Sequence, residues 1–232
     1  MQSSEFLGEL IGTAVLILLG NGVVANVLLD KTKGNNSGLI VITIAWGLAV
    51  TFAVFIAQKF GSAAAHLNPA LTIAFAFKSG DWSQVGSYIL AQFLGGFIGA
   101  TLVWLFYYPH YEATTDKDAI RSTFCNSPAI KNTPFNLLGE IIGTAVLFIG
   151  VSSITAGSGT GVAPYLVGML VLVIGNSLGG TTGYAINPVR DLAPRIMHAI
   201  LPMTHKGDSQ WSYAWIPVLG PIIGALLGSL LF

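Results

Sequence analysis

The chain has 232 residues, 53% of them hydrophobic and 9% charged, with a formal net charge of +0 and a mean hydropathy of +0.72. Soluble globular chains carry about 25% charged residues, so this balance excludes an ordinary water-soluble domain and points to an all-α membrane protein. The absence of a basic stripe or tail excludes nucleic acid as a partner, and the single cysteine, Cys125, excludes an intramolecular disulfide and a cysteine metal cage.

Apolar runs long enough to approach the roughly 20 residues of a membrane helix recur along the whole chain. The first covers 5–29, and because no positive charge precedes Lys31 it reads as a retained membrane helix, not a cleaved leader. A polar turn precedes a second span at 39–58, and a Gly/Ala-rich approach then leads to His66, Asn68, Pro69 and a short helical segment at 70–77. A third span covers 82–107, followed by a long polar loop over 109–134. The fourth and fifth spans cover 135–154 and 162–178, separated by a turn from Gly157 to Gly161. A second irregular stretch at 179–197 contains Asn187 and Pro188, and the last span covers 213–232.

The two halves repeat each other. Gly8-Glu9 and the five residues Gly12-Thr13-Ala14-Val15-Leu16 that follow two apolar positions later reappear as Gly139-Glu140 and Gly143-Thr144-Ala145-Val146-Leu147. Asn68-Pro69 reappears as Asn187-Pro188, and Leu94-Gly95 with Gly99-Ala100 reappears as Leu219-Gly220 with Gly224-Ala225, in the same order. Each half holds an odd number of spans, so the second copy starts on the opposite side of the membrane, an inverted repeat. The expected organisation is a single channel domain over 1–232, with repeats about 1–108 and 135–232 joined by the 109–134 loop. Small-residue spacings such as Gly95/Gly99 and Gly220/Gly224/Gly228 read as close-packing helix faces.

Each Asn-Pro reads as the start of a half-length helix. Asparagine is a good N-cap, and proline is tolerated in the first turn, where its missing N–H would be unpaired anyway. The extended chain before it is allowed at membrane depth only where protein buries it or water lines it. Inversion brings the two half-helices in from opposite faces, with N-termini meeting near the midplane. Each end carries roughly +0.5 charge from aligned peptide dipoles, and Asn68 and Asn187 add amide donors. A cation is repelled there, while a small neutral molecule with oxygen lone pairs is accepted.

These features, two Asn-Pro motifs with one reading Asn187-Pro188-Val189-Arg190-Asp191, within six spans of inverted repeat, resemble the aquaporin and aquaglyceroporin family over nearly the whole chain. The resemblance implies six transmembrane helices plus two re-entrant half-helices, Pro69-Ala70 and Pro188-Val189 opening the latter, a pore in each protomer, and a homotetramer in membrane lipid. Residue matching places a selectivity filter at Trp46, Gly175, Tyr184 and Arg190. Gly175 opens the wall, Trp46 and Tyr184 form an apolar corner, and the Arg190 guanidinium faces it, an arrangement suited to a polyol. Asp191, Arg195 and the Pro217-Val218 pair resemble the glycerol-conducting branch. Two departures are visible: Val189 replaces the usual alanine and adds bulk near the midplane, and Tyr184 replaces the usual phenylalanine and adds a hydroxyl.

Glu9 and Glu140 lie inside spans, where ionisable groups are rare and face the bundle interior. They read either as a proton-relay pair or as acceptors for unpaired loop N–H groups, and their symmetry favours the second. His66 reads as a pore-lining residue at the cytoplasmic entrance. The expected function is passive conduction of glycerol, water and other small uncharged solutes, with ions and protons excluded. The alternatives are a water-selective channel and a proton-coupled transporter. Nothing points to an enzyme, a cofactor or a metal. The expected location is a bacterial inner membrane with both termini cytoplasmic, although Lys31, Lys33, Lys117, Arg121, Lys131 and Lys206 then fall outside and oppose the positive-inside tendency.

Overall fold

The computed structural model describes residues 3–157 and 161–232; the turn expected between Gly157 and Gly161 falls largely on 158–160, outside the described residues. All regular structure among them is helical: α1 Ser3–Leu28, α2 Leu39–Lys59, α3 Pro69–Ser79, α4 Val85–Phe106, α5 Tyr108–Ala113, α6 Lys117–Ser122, α7 Thr133–Gly157, α8 Ala163–Leu178, α9 Pro188–Ile200 and α10 Ile216–Ser229. Four of these, α1, α2, α4 and α7, are long and apolar enough to cross a membrane, while α8 and α10 are shorter apolar helices. The last span is therefore shorter than expected, because helical turns at 211–215 and 230–231 replace its ends. The 109–134 segment is not a plain loop: it holds α5 and α6, the second capped by Asp116 Oδ1, which accepts from the N–H groups of Asp118 and Ala119 at 2.8 and 3.1 Å.

The packing is built around α1 and α7. Helix α1 lies against α2 and α4, α7 lies against α8 and α10, and α2 meets α8 between the two sets. Close approach explains the glycines at the α1–α4 and α7–α10 contacts. A Cβ at Gly99 of α4 would stand 2.6 Å from the Ala14 carbonyl oxygen of α1, and one at Gly224 of α10 would overlap the Ile141 carbonyl of α7. Helices meeting backbone to backbone need residues with no side chain at the crossing.

The short helices cross over. α3 packs on α10 and α4, and α9 packs on α4 and α10. At 1.5 Å per residue α3 and α9 are about 16 and 20 Å long, well short of a hydrocarbon layer of about 30 Å. Both begin as expected. Asn68 and Asn187 are extended (φ −156° and −160°), each is followed by proline at the first helical position, and each side chain accepts from N–H groups of the first turn.

The second short helix is clamped to the 109–134 segment. Asp191 and Arg195 are both fully buried, and they form a two-pronged ion pair with Arg195 Nε to Asp191 Oδ1 at 2.8 Å and Nη2 to Oδ2 at 2.9 Å. Arg195 also donates to the carbonyls of Asn126, Ser209 and Gln210, and Asp191 Oδ2 accepts from the Asn126 N–H at 2.7 Å. Asn126 Nδ2 in turn donates to the Thr182 and Gly183 carbonyls at 3.1 and 2.6 Å. Replacing Arg195 with alanine leaves Asp191 buried without its counter-charge, so thermal unfolding in detergent is expected to show a loss of about 3–5 kcal/mol. Cys125 lies beside this clamp, a free thiol that is 2% exposed, and burial pushes its pKa up to about 12. A maleimide is expected to leave it unlabelled in the folded protein from either side of a membrane and to label it after denaturation; labelling of the folded protein contradicts this packing.

Candidate functional site

The two irregular approaches, 61–68 and 180–187, carry non-helical backbone into the centre of the bundle, and their N–H groups find carboxylates. Glu9 Oε1 accepts from Ser62 Oγ and the His66 N–H, both at 2.7 Å. Its Oε2 accepts from the Leu67 N–H and from Gln92 Nε2, both at 2.8 Å. Glu140 does the same for the other approach: Oε1 accepts from Thr182 Oγ1 at 2.7 Å and the Ala185 N–H at 3.0 Å, and Oε2 from the Ile186 N–H at 2.9 Å. Both carboxylates are buried, at 0% and 1% exposure, and their oxygens are committed to the loops. That geometry is the acceptor arrangement weighed against a proton relay above.

The loops pay a conformational cost for this shape. Ala65 and Leu67 in one, Tyr184 and Ile186 in the other, have φ between 41° and 50°, a region that costs a non-glycine residue of order 1–3 kcal/mol. The strain sits at matching positions, and cross-bonds hold it. Asn68 Nδ2 donates to the Ile186 carbonyl and Asn187 Nδ2 to the Leu67 carbonyl, both at 2.8 Å. Each amide thus spends one N–H on the opposite loop, and of its two donors one remains.

A cavity of about 320 Å³ runs past this meeting point. His66, Asn68, Asn187, Trp46, Tyr184 and Arg190 all line it, together with apolar side chains including Val50, Phe75, Leu147 and Val171. His66 is stacked on Phe75 with centroids 5.1 Å apart, and its Nδ1 lies 3.2 Å from Thr72 Oγ1. At the other end the Arg190 guanidinium carbon stands 4.3 Å from the centroid of the Trp46 ring. The single hydrogen bond from that guanidinium to a side chain among the described residues is long, Nη1 to Asn21 Oδ1 at 3.5 Å.

Gly175 acts through its neighbour. A Cβ there would stand 2.8 Å from Tyr184 Cζ and 3.0 Å from its hydroxyl, and one at Gly179 would overlap Cδ1 of the same ring. The tyrosine therefore occupies the room vacated by two glycines, Gly175 in the last turn of α8 and Gly179 just past its end. Its hydroxyl has no hydrogen-bond partner among the described residues, although the ring is 8% exposed and lines the cavity.

Pro69, Ala70 and Pro188 are buried at the heads of α3 and α9. Val189 does not narrow the cavity: it is fully buried, is absent from the lining, and points at Gly96 of α4, where a Cβ would meet its Cγ2 at 3.3 Å. Its extra methyl groups fill a helix contact. Asp191 likewise faces the Arg195 clamp and not the cavity. Asn21, Ser62, Gln92, Asn126 and Thr182 were not anticipated. Asn21 and Gln92 carried the same signal as the two glutamates, a polar side chain inside an apolar span.

The profile described as "Major intrinsic protein" matches residues 1–232. The chain belongs to the major intrinsic protein family. Among curated relatives, "Glycerol uptake facilitator protein" of Streptococcus pneumoniae (strain ATCC BAA-255 / R6) is 56% identical, covering 99% of this chain and 98% of that protein. "Probable glycerol uptake facilitator protein" of Thermotoga maritima is 54% identical, covering 99% and 98%. Among solved structures, the aquaglyceroporin from Plasmodium falciparum superposes with a TM-score of 0.86 at 27% identity, covering 98% of this chain and 94% of that one. As a major intrinsic protein the chain is a multi-pass membrane protein with six membrane helices and two half-helices.

Tyr184 and Arg190 line the same cavity, and the tyrosine ring rests against Gly175. Gly175→Ala is expected to push that ring into the cavity and lower glycerol permeability of proteoliposomes by about tenfold, the scale of one methyl group in a pocket, with water permeability retained. Equal glycerol flux in the variant would contradict the packing of Tyr184 on Gly175.

Proposed function

We propose that this chain is a passive membrane channel for glycerol and other small uncharged solutes, with water, that excludes ions and protons. The observation that carries the reading is the grouping of Arg190, Trp46 and Tyr184 on one cavity, with Gly175 contributing no side chain behind the tyrosine. Arginine offers five N–H donors and no acceptor, and among the described residues only one reaches a protein side chain, at 3.5 Å. The others serve solute hydroxyl oxygens, while the CH groups of a polyol lie against the two rings. The Tyr184 hydroxyl is buried against Gly175, so the ring meets the solute and the hydroxyl does not. Trp46, Gly175, Tyr184 and Arg190 form the selectivity filter on this reading.

Charge exclusion follows from the same parts. As in aquaporin-type pores generally, an arginine and the positive ends of half-helices repel cations and protons. Asn68 and Asn187 stand at those ends, each with an N–H left over from its cross-bond. A water held there spends its lone pairs on donors, which interrupts a proton-conducting file. A proton-coupled transporter is disfavoured because Glu9 and Glu140 are bound to loop donors on both oxygens.

The two halves act as an inverted repeat, about 1–108 and 135–232, joined through 109–134. The outward apolar side chains, such as Phe52 on α2, Leu90 on α4 and Phe135 on α7, each more than half exposed, face lipid or the neighbouring protomers of a homotetramer. Both termini lie in the cytoplasm, and the membrane is a bacterial inner membrane. Stopped-flow light scattering of proteoliposomes is expected to show glycerol permeability far above protein-free vesicles and unchanged when a protonophore collapses the proton gradient. Dependence on that gradient would replace the channel reading with a transporter.

A further inference from the structure

Trp46 is held from behind by α1. A methyl group placed at Gly20 would overlap Cε3, Cζ3 and Cη2 of the Trp46 ring, and these are its three nearest neighbours. The contrast with the packing glycines is informative. At Gly99 and Gly224 the closest atom is a backbone carbonyl of the facing helix, so those glycines set helix spacing. At Gly20 the space is taken by one aromatic side chain. That ring lines the cavity and carries Arg190 4.3 Å from its centroid. The residue after Gly20 touches the same group: Asn21 is 1% exposed, its Oδ1 accepts from Arg190 Nη1 at 3.5 Å, and its Nδ2 donates to the Phe124 carbonyl at 3.3 Å.

We propose that Gly20 is a positioning residue that sets the bore beside Arg190 by letting the Trp46 ring recess against the α1 backbone, and so decides how large an uncharged solute passes. The inference rests on reading Trp46, Tyr184 and Arg190 as the narrow passage. Carbon atoms in contact settle about 3.5–4.0 Å apart, so a side chain at position 20 drives the ring about 1 Å away from α1. The side open to it is the cavity it lines. Such a shift takes width from a polyol and leaves enough for water in single file. Each aromatic wall of the passage then leans on glycine, Trp46 on Gly20 and Tyr184 on Gly175 and Gly179.

The test measures water and glycerol permeability of proteoliposomes carrying Gly20→Ala, Trp46→Phe, both together, and Trp46→Ala. Gly20→Ala is expected to lower glycerol permeability about tenfold, the effect of one methyl in a pocket, with water permeability unchanged. In the Trp46→Phe background, whose smaller ring does not reach the new methyl, Gly20→Ala is expected to have no further effect on glycerol. Unchanged glycerol flux in Gly20→Ala overturns the proposal, as does a parallel fall of water and glycerol, or an equal loss in the Trp46→Phe background. Trp46→Ala separates the two levels: if it leaves the glycerol-to-water ratio unchanged, the filter reading itself fails, whereas a changed ratio with a silent Gly20→Ala removes only the role of Gly20.

Discussion

Backbone that is not helical has to find partners for its N–H groups, and in an apolar layer water is not available to supply them. Two loops here carry such backbone to the middle of the bundle, and two buried glutamates answer it. Glu9 and Glu140 stand on α1 and α7, the two helices that the other long apolar helices pack against. Their carboxylate oxygens accept from His66 and Leu67 in one loop and from Ala185 and Ile186 in the other. Without these acceptors the loops would have no reason to hold four non-glycine residues at positive φ, and the half-helices would not be aimed at one another.

From that constraint the chemistry follows in order. The loops deliver Asn68 and Asn187 to the heads of α3 and α9, and each caps its own helix while bonding across to the other loop. The helix heads are electropositive, and the asparagines keep one amide N–H apiece for whatever occupies the cavity. Arg190, in the first turn of α9, is carried to the cavity by the same cap, since its N–H is bonded to Asn187 Oδ1 at 3.3 Å. The next residue, Asp191, turns the other way and anchors the helix through Arg195 and Asn126. One helical turn therefore presents a charge to the conduit and ties its own position down with a buried ion pair.

The walls are arranged by absence as much as by presence. Tyr184 fits because Gly175 and Gly179 have no side chains, and Trp46 fits because Gly20 has none. An amphipathic passage, donors on one side and rings on the other, suits molecules that have both hydroxyl and CH surfaces. The relatives named as glycerol uptake facilitators share 54–56% of their residues with this chain, and the filter proposed at Trp46, Gly175, Tyr184 and Arg190 would give that likeness a physical basis.

Much of this was legible in the residues alone. Composition dictated a helical membrane protein, because too few charges exist to solvate 232 residues. The Asn-Pro pairs declared two helix starts, because proline and an asparagine cap suit no other place so well. The duplicated glutamates announced buried acceptors, since an ionisable group in a span needs a reason. Periodicity and spacing, however, are local properties, and three matters depended on side chains far apart in the chain. Val189 and Asp191 turned away from the cavity because helix α9 has only one face toward it and that face is taken by Arg190. The 109–134 segment gained α5 and α6 and became the clamp on α9, through bonds spanning 65 and 69 residues. Gly20 acquired meaning only beside the Trp46 ring that fills its space, and the contact of Gly175 with the Tyr184 ring likewise appeared only in three dimensions.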